Sequence, residues 1–224
     1  MVDEKTTHID WKSLLISQKI ILGLFGKILF EYPEKEWFDT LAAEGVFEEI
    51  PFAEEREDVQ EGMKLLAAWG VRNKAGLSVE EFDAVRGDYT SLFIGPGKVL
   101  APPWESMYFR KERIIFQEET LEVRNWYRRF GLESVKLYNE PDDHIGLELA
   151  FIAHLAGLAY EAQDENKFRV LIEAQKEFMT VHTLKWVAGW AALVLEHAKT
   201  DFFKGVALVV RGVLAELNQI YMEE

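Results

Sequence analysis

The sequence predicts an all-α fold, a single-domain bundle of about nine or ten helices. Three observations carry this prediction. Apolar residues recur with helical spacing through almost the whole chain, no stretch alternates convincingly like a strand, and a single long segment is rich in glycine and proline. The composition, with 49% apolar and 29% charged residues, is typical of a globular protein. We therefore predict one domain over residues 1–224, interrupted by a Pro/Gly-rich loop at 95–104.

The first three predicted helices have recognisable ends. Asp10 is placed to cap the first helix, which must end before Pro33 because proline disrupts a helix interior. A short helix follows Pro33 and runs to about Ala43. The third has acidic residues in its first turn and Arg72 in its last, as the helix dipole favours.

A capping-box pattern and a breaker segment define the middle of the chain. Ser78 and Glu81 have the spacing of a capping box, which predicts a helix from there to Phe93. The glycines and prolines of the loop at 95–104 end it.

Helical periodicity resumes after the loop. One helix is predicted from about Glu118 to a C-terminal cap at Gly131, and another from Pro141 to about Ala162. Further helices are predicted over roughly 165–179, 181–198 and 201–222.

Composition also excludes several kinds of chemistry. The chain has no cysteine, which removes disulfides, thiolate nucleophiles and iron–sulfur ligation by this chain. Its net charge of −14 repels phosphate backbones, so we expect no nucleic-acid partner. The acidic start of the sequence does not resemble a secretory signal peptide, and no apolar run reaches about 18 residues. A cytoplasmic protein without stable membrane insertion is the expectation.

The stretch YNEPDDHIGLEL, residues 138–149, allows three interpretations. Pro141 suits the first helical position, and Asp142 and Asp143 would then stabilise the first turn. His144 should be neutral there, because a positive charge is disfavoured at a helix N-terminus. The stretch is thus a capped helix, a site for chemistry, or a place where a partner docks.

A metal-dependent hydrolase is the enzymatic alternative, built around Asp143, His144 and Glu148. His144 and Glu148 are four residues apart and share a helix face. However, the sequence contains no H-E-x-x-H arrangement and no recognisable third ligand, and it lacks nucleophile-elbow and phosphate-loop motifs.

A second segment, YTSLFIGPGKVLAPPWESMY, combines a helix end with a stiff apolar loop. Tyr89, Leu92 and Phe93 have the spacing of one helix face, which is also the spacing of an ordinary core cluster. The loop that follows carries Pro103 and Trp104, and prolines restrict its backbone. An aromatic helix end beside such a loop can form a pre-organised groove for a peptide.

These two segments carry a resemblance to a known family, the TorD/DmsD redox-enzyme maturation chaperones. The first signature is aromatic-x-x-Leu-Phe, here starting at Tyr89, followed by Ala-Pro-Pro-Trp-Glu-Ser at 101–106. The second is Glu-Pro-x-Asp-His, here 140–144. The chain departs from some relatives by having tyrosine rather than tryptophan at the start of the first signature. Length, helical pattern and motif order agree with the family.

The resemblance implies a cytoplasmic, all-α chaperone that is not an enzyme. It would bind the twin-arginine signal peptide of a molybdopterin-dependent oxidoreductase subunit and hold that subunit until its cofactor is inserted. A related alternative is a NarJ-like assembly scaffold for a respiratory reductase. Carried over by motif, the peptide-binding candidates are Tyr89, Leu92, Phe93, Pro103, Trp104, Glu140, Pro141, Asp143 and His144.

The resemblance also bears on cofactors and partners. The implied partners are the signal peptide and the apo form of the molybdoenzyme catalytic subunit. No cofactor is expected, although nucleotide or molybdenum-cofactor contact has been proposed for some members. Both monomers and domain-swapped dimers are compatible with the family. The sequence leaves open whether Asp143 and His144 contact the peptide or brace the proline-rich loop.

Overall fold

The computed structural model describes residues 9–48, 56–109, 117–133 and 140–223. Within these ranges the chain forms ten α-helices and no strand, so the predicted all-α class is confirmed. The helices are α1 Trp11–Phe30, α2 Lys35–Ala43, α3 Glu57–Arg72, α4 Val79–Tyr89, α5 Ser106–Phe109, α6 Glu118–Arg129, α7 Ile145–Glu161, α8 Glu165–Val181, α9 Val187–His197 and α10 Asp201–Met222.

Local capping chemistry accounts for several of these ends as predicted. Asp10 accepts a hydrogen bond from the Ser13 amide at 3.3 Å at the start of α1. The Ser78 hydroxyl accepts one from the Glu81 amide at 3.1 Å at the start of α4. Gly131 has φ of 73° just after α6, a conformation that glycine adopts without strain.

Two predicted helices are interrupted. The helix of Ser78 continues past α4 as a π-helical turn, Thr90–Ile94, before Gly95 ends it. The predicted helix at 181–198 is divided into a 3₁₀ turn, Thr183–Lys185, and α9. The π-helical turn lies within the second segment singled out in the sequence, and the 3₁₀ turn directly follows His182, which contacts Glu105 of that segment.

The centre of the bundle is the crossing of α1 and α7, where two glycines allow the backbones to touch. A Cβ atom added to Gly26 would lie 2.9 Å from the Gly146 carbonyl oxygen, and one added to Gly146 would lie 2.7 Å from the Gly26 oxygen. No side chain fits at either place. The crossing brings the carboxyl-terminal half of α1 against the beginning of α7.

A second pair, α3 with α10, completes the core around a cluster of aromatic rings. The rings of Trp69 and Phe202 lie 4.6 Å apart between centroids, and both side chains are fully buried. Phe38 and Phe47 pack edge-on against the Trp69 ring. Such aromatic packing contributes much of the buried apolar area.

Among the described helices, α1 is long and apolar enough to cross a membrane by itself. The α8 segment and α9, bent by 43° at their break, meet the same criterion together. Core helices of folded bundles also meet it, and 44% of the apolar window of α1 is buried inside this fold. The absence of stable membrane insertion stays a prediction, as does the single-domain assignment for residues 1–224.

Candidate functional site

The two signature segments, far apart in sequence, meet as a short antiparallel bridge between Trp104 and His144. The Glu105 amide donates to the Asp143 carbonyl at 2.9 Å, and the Ile145 amide donates to the Pro103 carbonyl at 2.8 Å. The proline-rich loop is therefore fastened to the start of α7 through backbone hydrogen bonds.

Asp143 is the principal brace of this junction. Its side chain is fully buried, and one carboxylate oxygen accepts from the Ser106 amide at 2.8 Å. The other oxygen accepts from the Thr120 hydroxyl at 2.7 Å. One carboxylate thus joins the start of α5, α6 and the segment before α7, and its oxygens face the protein interior.

Asp142 fastens the same segment to α6. Its carboxylate lies 2.6 Å from an Arg124 guanidinium nitrogen, and Asp142 is almost completely buried. The Tyr127 hydroxyl donates to the Asp142 carbonyl at 2.9 Å. A buried, hydrogen-bonded pair of this kind is costly to break from one side.

His144 caps α7, which corrects the predicted helix start. Pro141 is not the first helical residue, and Asp142 and Asp143 precede the helix rather than occupying its first turn. Their bonds to α5 and α6, together with the bridge to the loop, hold them outside the helix. The His144 Nδ1 atom accepts from the Gly146 amide at 3.0 Å, so this nitrogen carries no proton, as expected for a neutral ring.

The first signature lies mainly in the core. Tyr89, Leu92 and Phe93 are all buried, and the Tyr89 hydroxyl donates to the Leu29 carbonyl at 3.0 Å. The Phe93 ring stacks at 6.3 Å on Trp190. In this structure, these three residues belong to the core rather than to the surface of the site.

Two of the predicted binding residues reach the surface. Trp104 and Glu140 are half-buried, whereas Pro103, Pro141, Asp143 and His144 are buried. The Trp104 indole nitrogen donates to a Glu140 carboxylate oxygen at 2.7 Å. The nine candidates therefore divide into a buried frame and a small outer rim.

Glu105 is a buried acidic residue of this region that was not among the predicted site residues. Glu105, within the first signature, lies 3.0 Å from the His182 Nδ1 atom, and both side chains are about 2% exposed. Burial raises the pKa of Glu105, and the His182 contact opposes this rise. The place of Glu105 in the Pro-Pro-Trp-Glu-Ser stretch was its only sequence signal.

Glu148 lies in the same interior region. Neither of its carboxyl oxygens has a hydrogen-bond partner among the described residues. Burial raises the pKa of Glu148 well above its ordinary value, and the charge of Glu105 adds to the rise. The nearby Thr183 hydroxyl and Trp186 indole N–H oppose this rise, although neither has the geometry of a hydrogen bond to Glu148.

The geometry does not support the hydrolase alternative. Asp143 is engaged by Ser106 and Thr120, and the Nδ1 atom of His144 caps α7. In the described part of the chain, no group of three histidine, aspartate or glutamate side chains is arranged to hold a metal ion.

The family model described as "Nitrate reductase delta subunit" matches residues 53–192, which is more than half of the chain and includes both signatures. The chain belongs to this family. The match does not include α1, α2 or α10, so the helix that crosses α7 lies outside it.

Three curated proteins that are similar to this chain carry chaperone names. A chaperone protein TorD from Aliivibrio fischeri is 27% identical over 138 residues, covering 57% of this chain and 64% of the relative. A Tat proofreading chaperone DmsD from Salmonella paratyphi A is 29% identical over 127 residues, 56% of each chain. A probable DmsD from Haemophilus influenzae is 31% identical over 128 residues, 57% of each. The chain thus spans between half and two thirds of these relatives.

These matches confirm the resemblance to the TorD/DmsD chaperones, and each of the three relatives is named as a chaperone. A solved structure from Archaeoglobus fulgidus, described provisionally as a redox enzyme maturation protein, aligns with a TM-score of 0.47 at 20% identity. That alignment covers 92% of this chain and 94% of the other.

Proposed function

We propose that this protein is a cytoplasmic maturation chaperone that binds the twin-arginine signal peptide of a molybdopterin-dependent oxidoreductase subunit. It holds the apo subunit until the cofactor is inserted and then releases it for export. The chaperone names of its relatives support the general class. The partner and the compartment are part of the proposal.

One observation supports a particular location for peptide binding, the rim formed by Trp104 and Glu140. The bridge between Trp104 and His144 joins both signatures, and it leaves the Trp104 ring and the Glu140 carboxylate half-exposed side by side. A signal peptide has a basic head followed by an apolar segment. An aromatic ring beside a carboxylate offers an apolar contact and a charge partner for these two parts.

The rigidity of the frame supports peptide binding at the rim. The Asp143 carboxylate joins the starts of α5 and α6 through two hydrogen bonds, and His144 caps α7. A surface that is ordered before binding loses little conformational freedom when the peptide arrives. Micromolar affinity requires only about 8 kcal/mol, which a few anchors on such a surface supply.

The test is titration calorimetry with the synthetic leader of a twin-arginine molybdoenzyme encoded beside this gene. The wild-type protein should bind it, and Trp104→Ala should weaken binding by about tenfold through lost apolar contact. Tyr160→Ala is the control, because Tyr160 is also a surface aromatic, 43% exposed, on α7. A folded wild-type protein that binds no such leader contradicts the proposal.

A second candidate is assembly of a respiratory reductase without a signal peptide. The description of the matching family, a nitrate reductase delta subunit, favours it. Purification of the native complex distinguishes the two. A client subunit that remains bound after its leader is deleted favours the scaffold, whereas a client lost with its leader favours the signal-peptide chaperone.

A further inference from the structure

The end of α1 contacts both signature segments although it lies outside the range matched by the family model. The Phe30 ring packs edge-on against His144, with 5.2 Å between centroids. Two residues later, Tyr32 packs edge-on against Tyr89 at 5.6 Å, and its hydroxyl lies 3.3 Å from the Thr90 hydroxyl. The segment 30–32 therefore borders the same rim as Trp104 and Glu140.

This segment is presented to solvent because the helix ends here. Pro33 disfavours helical backbone at the residue before it, and Glu31 already has extended geometry with ψ of 138°. As a result, the Tyr32 residue is 48% exposed and the Glu31 side chain is 55% exposed. An exposed aromatic ring and an exposed carboxylate thus both lie near Tyr89.

The negative charges of this region converge. Burial raises the pKa of Tyr89, and the charges of Glu140 and Glu31 raise it further, because both carboxylates act on the same hydroxyl. Among the residues that the structure describes, Glu31 pairs with Lys27 at 3.7 Å, and both side chains are exposed. A pair of this kind contributes little free energy, so another cation readily replaces it.

We propose that Glu31 and Tyr32 form a guanidinium subsite that binds an arginine from the basic head of the signal peptide. The carboxylate of Glu31 pairs with the guanidinium, the Tyr32 ring supplies a face for it to stack on, and Glu140 completes the negative field. The planar guanidinium forms bidentate pairs and stacks on rings, whereas a lysine ammonium is a point charge. The subsite therefore selects arginine over lysine. This proposal rests on the function proposed above.

The experiment is a double-mutant cycle with two forms of the leader described above, one with its arginine pair and one with glutamines in place of both. Glu31→Gln should weaken binding of the arginine leader about three- to fivefold and leave the glutamine leader unchanged. Tyr32→Ala should have an effect of similar size, and Tyr32→Phe should retain most of the affinity because it keeps the ring.

Glu173→Gln serves as the charge control. It removes the same unit of charge from an exposed position on α8, a different helix from those that carry Glu31 and the two signatures. An unchanged affinity in this variant assigns the loss in Glu31→Gln to the local pair rather than to net charge. Thermal melts of every variant establish that each one is folded.

The outcomes separate the two proposals. If the wild-type protein binds neither leader, the proposed function fails and the subsite fails with it. If the wild-type protein binds the arginine leader and Glu31→Gln does so equally well, only the subsite is overturned. Equal weakening of both leaders by Glu31→Gln also overturns it, because the loss would then be independent of the arginines.

Discussion

The buried frame and the outer rim of the site use the same types of residue in opposite ways. In the frame, the Asp143 carboxylate and the His144 ring are directed at backbone amides and a hydroxyl of the protein itself. At the surface, the half-buried Glu140 accepts a hydrogen bond from the half-buried Trp104 indole, and the side chains of Glu31 and Tyr32 are exposed. The difference teaches that one sequence signature can include both residues whose side chains are bonded inside the protein and residues that reach its surface.

The largest expected effect is that of removing the central brace. Asp143→Ala should lower the free energy of unfolding by about 3 kcal/mol, because it leaves the Ser106 amide and the Thr120 hydroxyl buried without their acceptor. Urea unfolding followed by circular dichroism measures this. Asp83→Ala, which removes a side chain 55% exposed, should change stability by less than about 0.5 kcal/mol.

Peptide binding by the Asp143→Ala variant then tests whether the buried frame and the outer rim have separate roles. Affinity per folded molecule should stay within a few fold of the wild type. An Asp143→Ala protein of unchanged stability that no longer binds the leader would place Asp143 at the rim and refute the comparison.

The next effect depends on pH and belongs to Glu148. Because its folded-state pKa is raised, the folded protein holds a proton that the unfolded chain releases above its ordinary pKa. Stability should therefore fall as the pH rises above about 4.5 and continue to fall until the raised pKa is passed. The sign is opposite to that of a carboxylate in a salt bridge.

Glu148→Gln should remove this component of the pH dependence. The variant should equal the wild type near pH 4 and exceed it at pH 8, by about 1.4 kcal/mol for each unit of pKa rise. Urea midpoints across this range measure the difference, and leader affinity should not change. If Glu148→Gln is no more stable than the wild type at pH 8, then Glu148 ionises in the folded protein without a loss of stability.

A smaller effect is expected at the helix cap. His144→Ala should cost about 1–2 kcal/mol, because it removes the acceptor for the Gly146 amide and the ring contact with Phe30. His144→Asn should recover part of this loss, since asparagine is a favourable N-cap. Equal melting temperatures for the two variants would show that the ring contacts, not the cap, are what His144 supplies.

The smallest effect on stability is expected at the rim. Glu140→Gln keeps an oxygen that accepts from the Trp104 indole, so the free energy of unfolding should change by less than about 0.5 kcal/mol. Affinity for the arginine leader should nevertheless fall a few fold, because one negative charge is lost. Calorimetry on the same samples measures both. A large loss of stability with unchanged affinity would assign Glu140 to the frame.

Where local chemistry decides, the sequence was sufficient. The caps at Asp10, Ser78 and Gly131 depend on residues within four positions of one another, and each appears where it was predicted. The start of α7 was predicted wrongly, because Asp142 and Asp143 are recruited by partners that are distant in sequence. The periodicity of apolar residues along the chain gives no information about such hydrogen bonds between distant segments.

The site shows the same limit. That the two signatures form one site followed from the family resemblance, and the structure adds the backbone bridge that joins them. Glu31 and Tyr32 gave no signal, since their proximity to Tyr89 and Glu140 arises from the crossing of α1 with α7. Whether the nine motif residues contact a peptide stays a prediction.

The glycine crossing has a consequence for how recognition can diversify. At Gly26 and Gly146 the spacing between α1 and α7 is set by main-chain atoms in contact, so it does not depend on which side chains stand at positions 31, 32 and 140. Substitutions at those three positions can change the chemistry that the surface reads while the distance between its two edges stays constant. The glycine crossing thus holds the two helices at a fixed spacing, whichever residues occupy positions 31, 32 and 140.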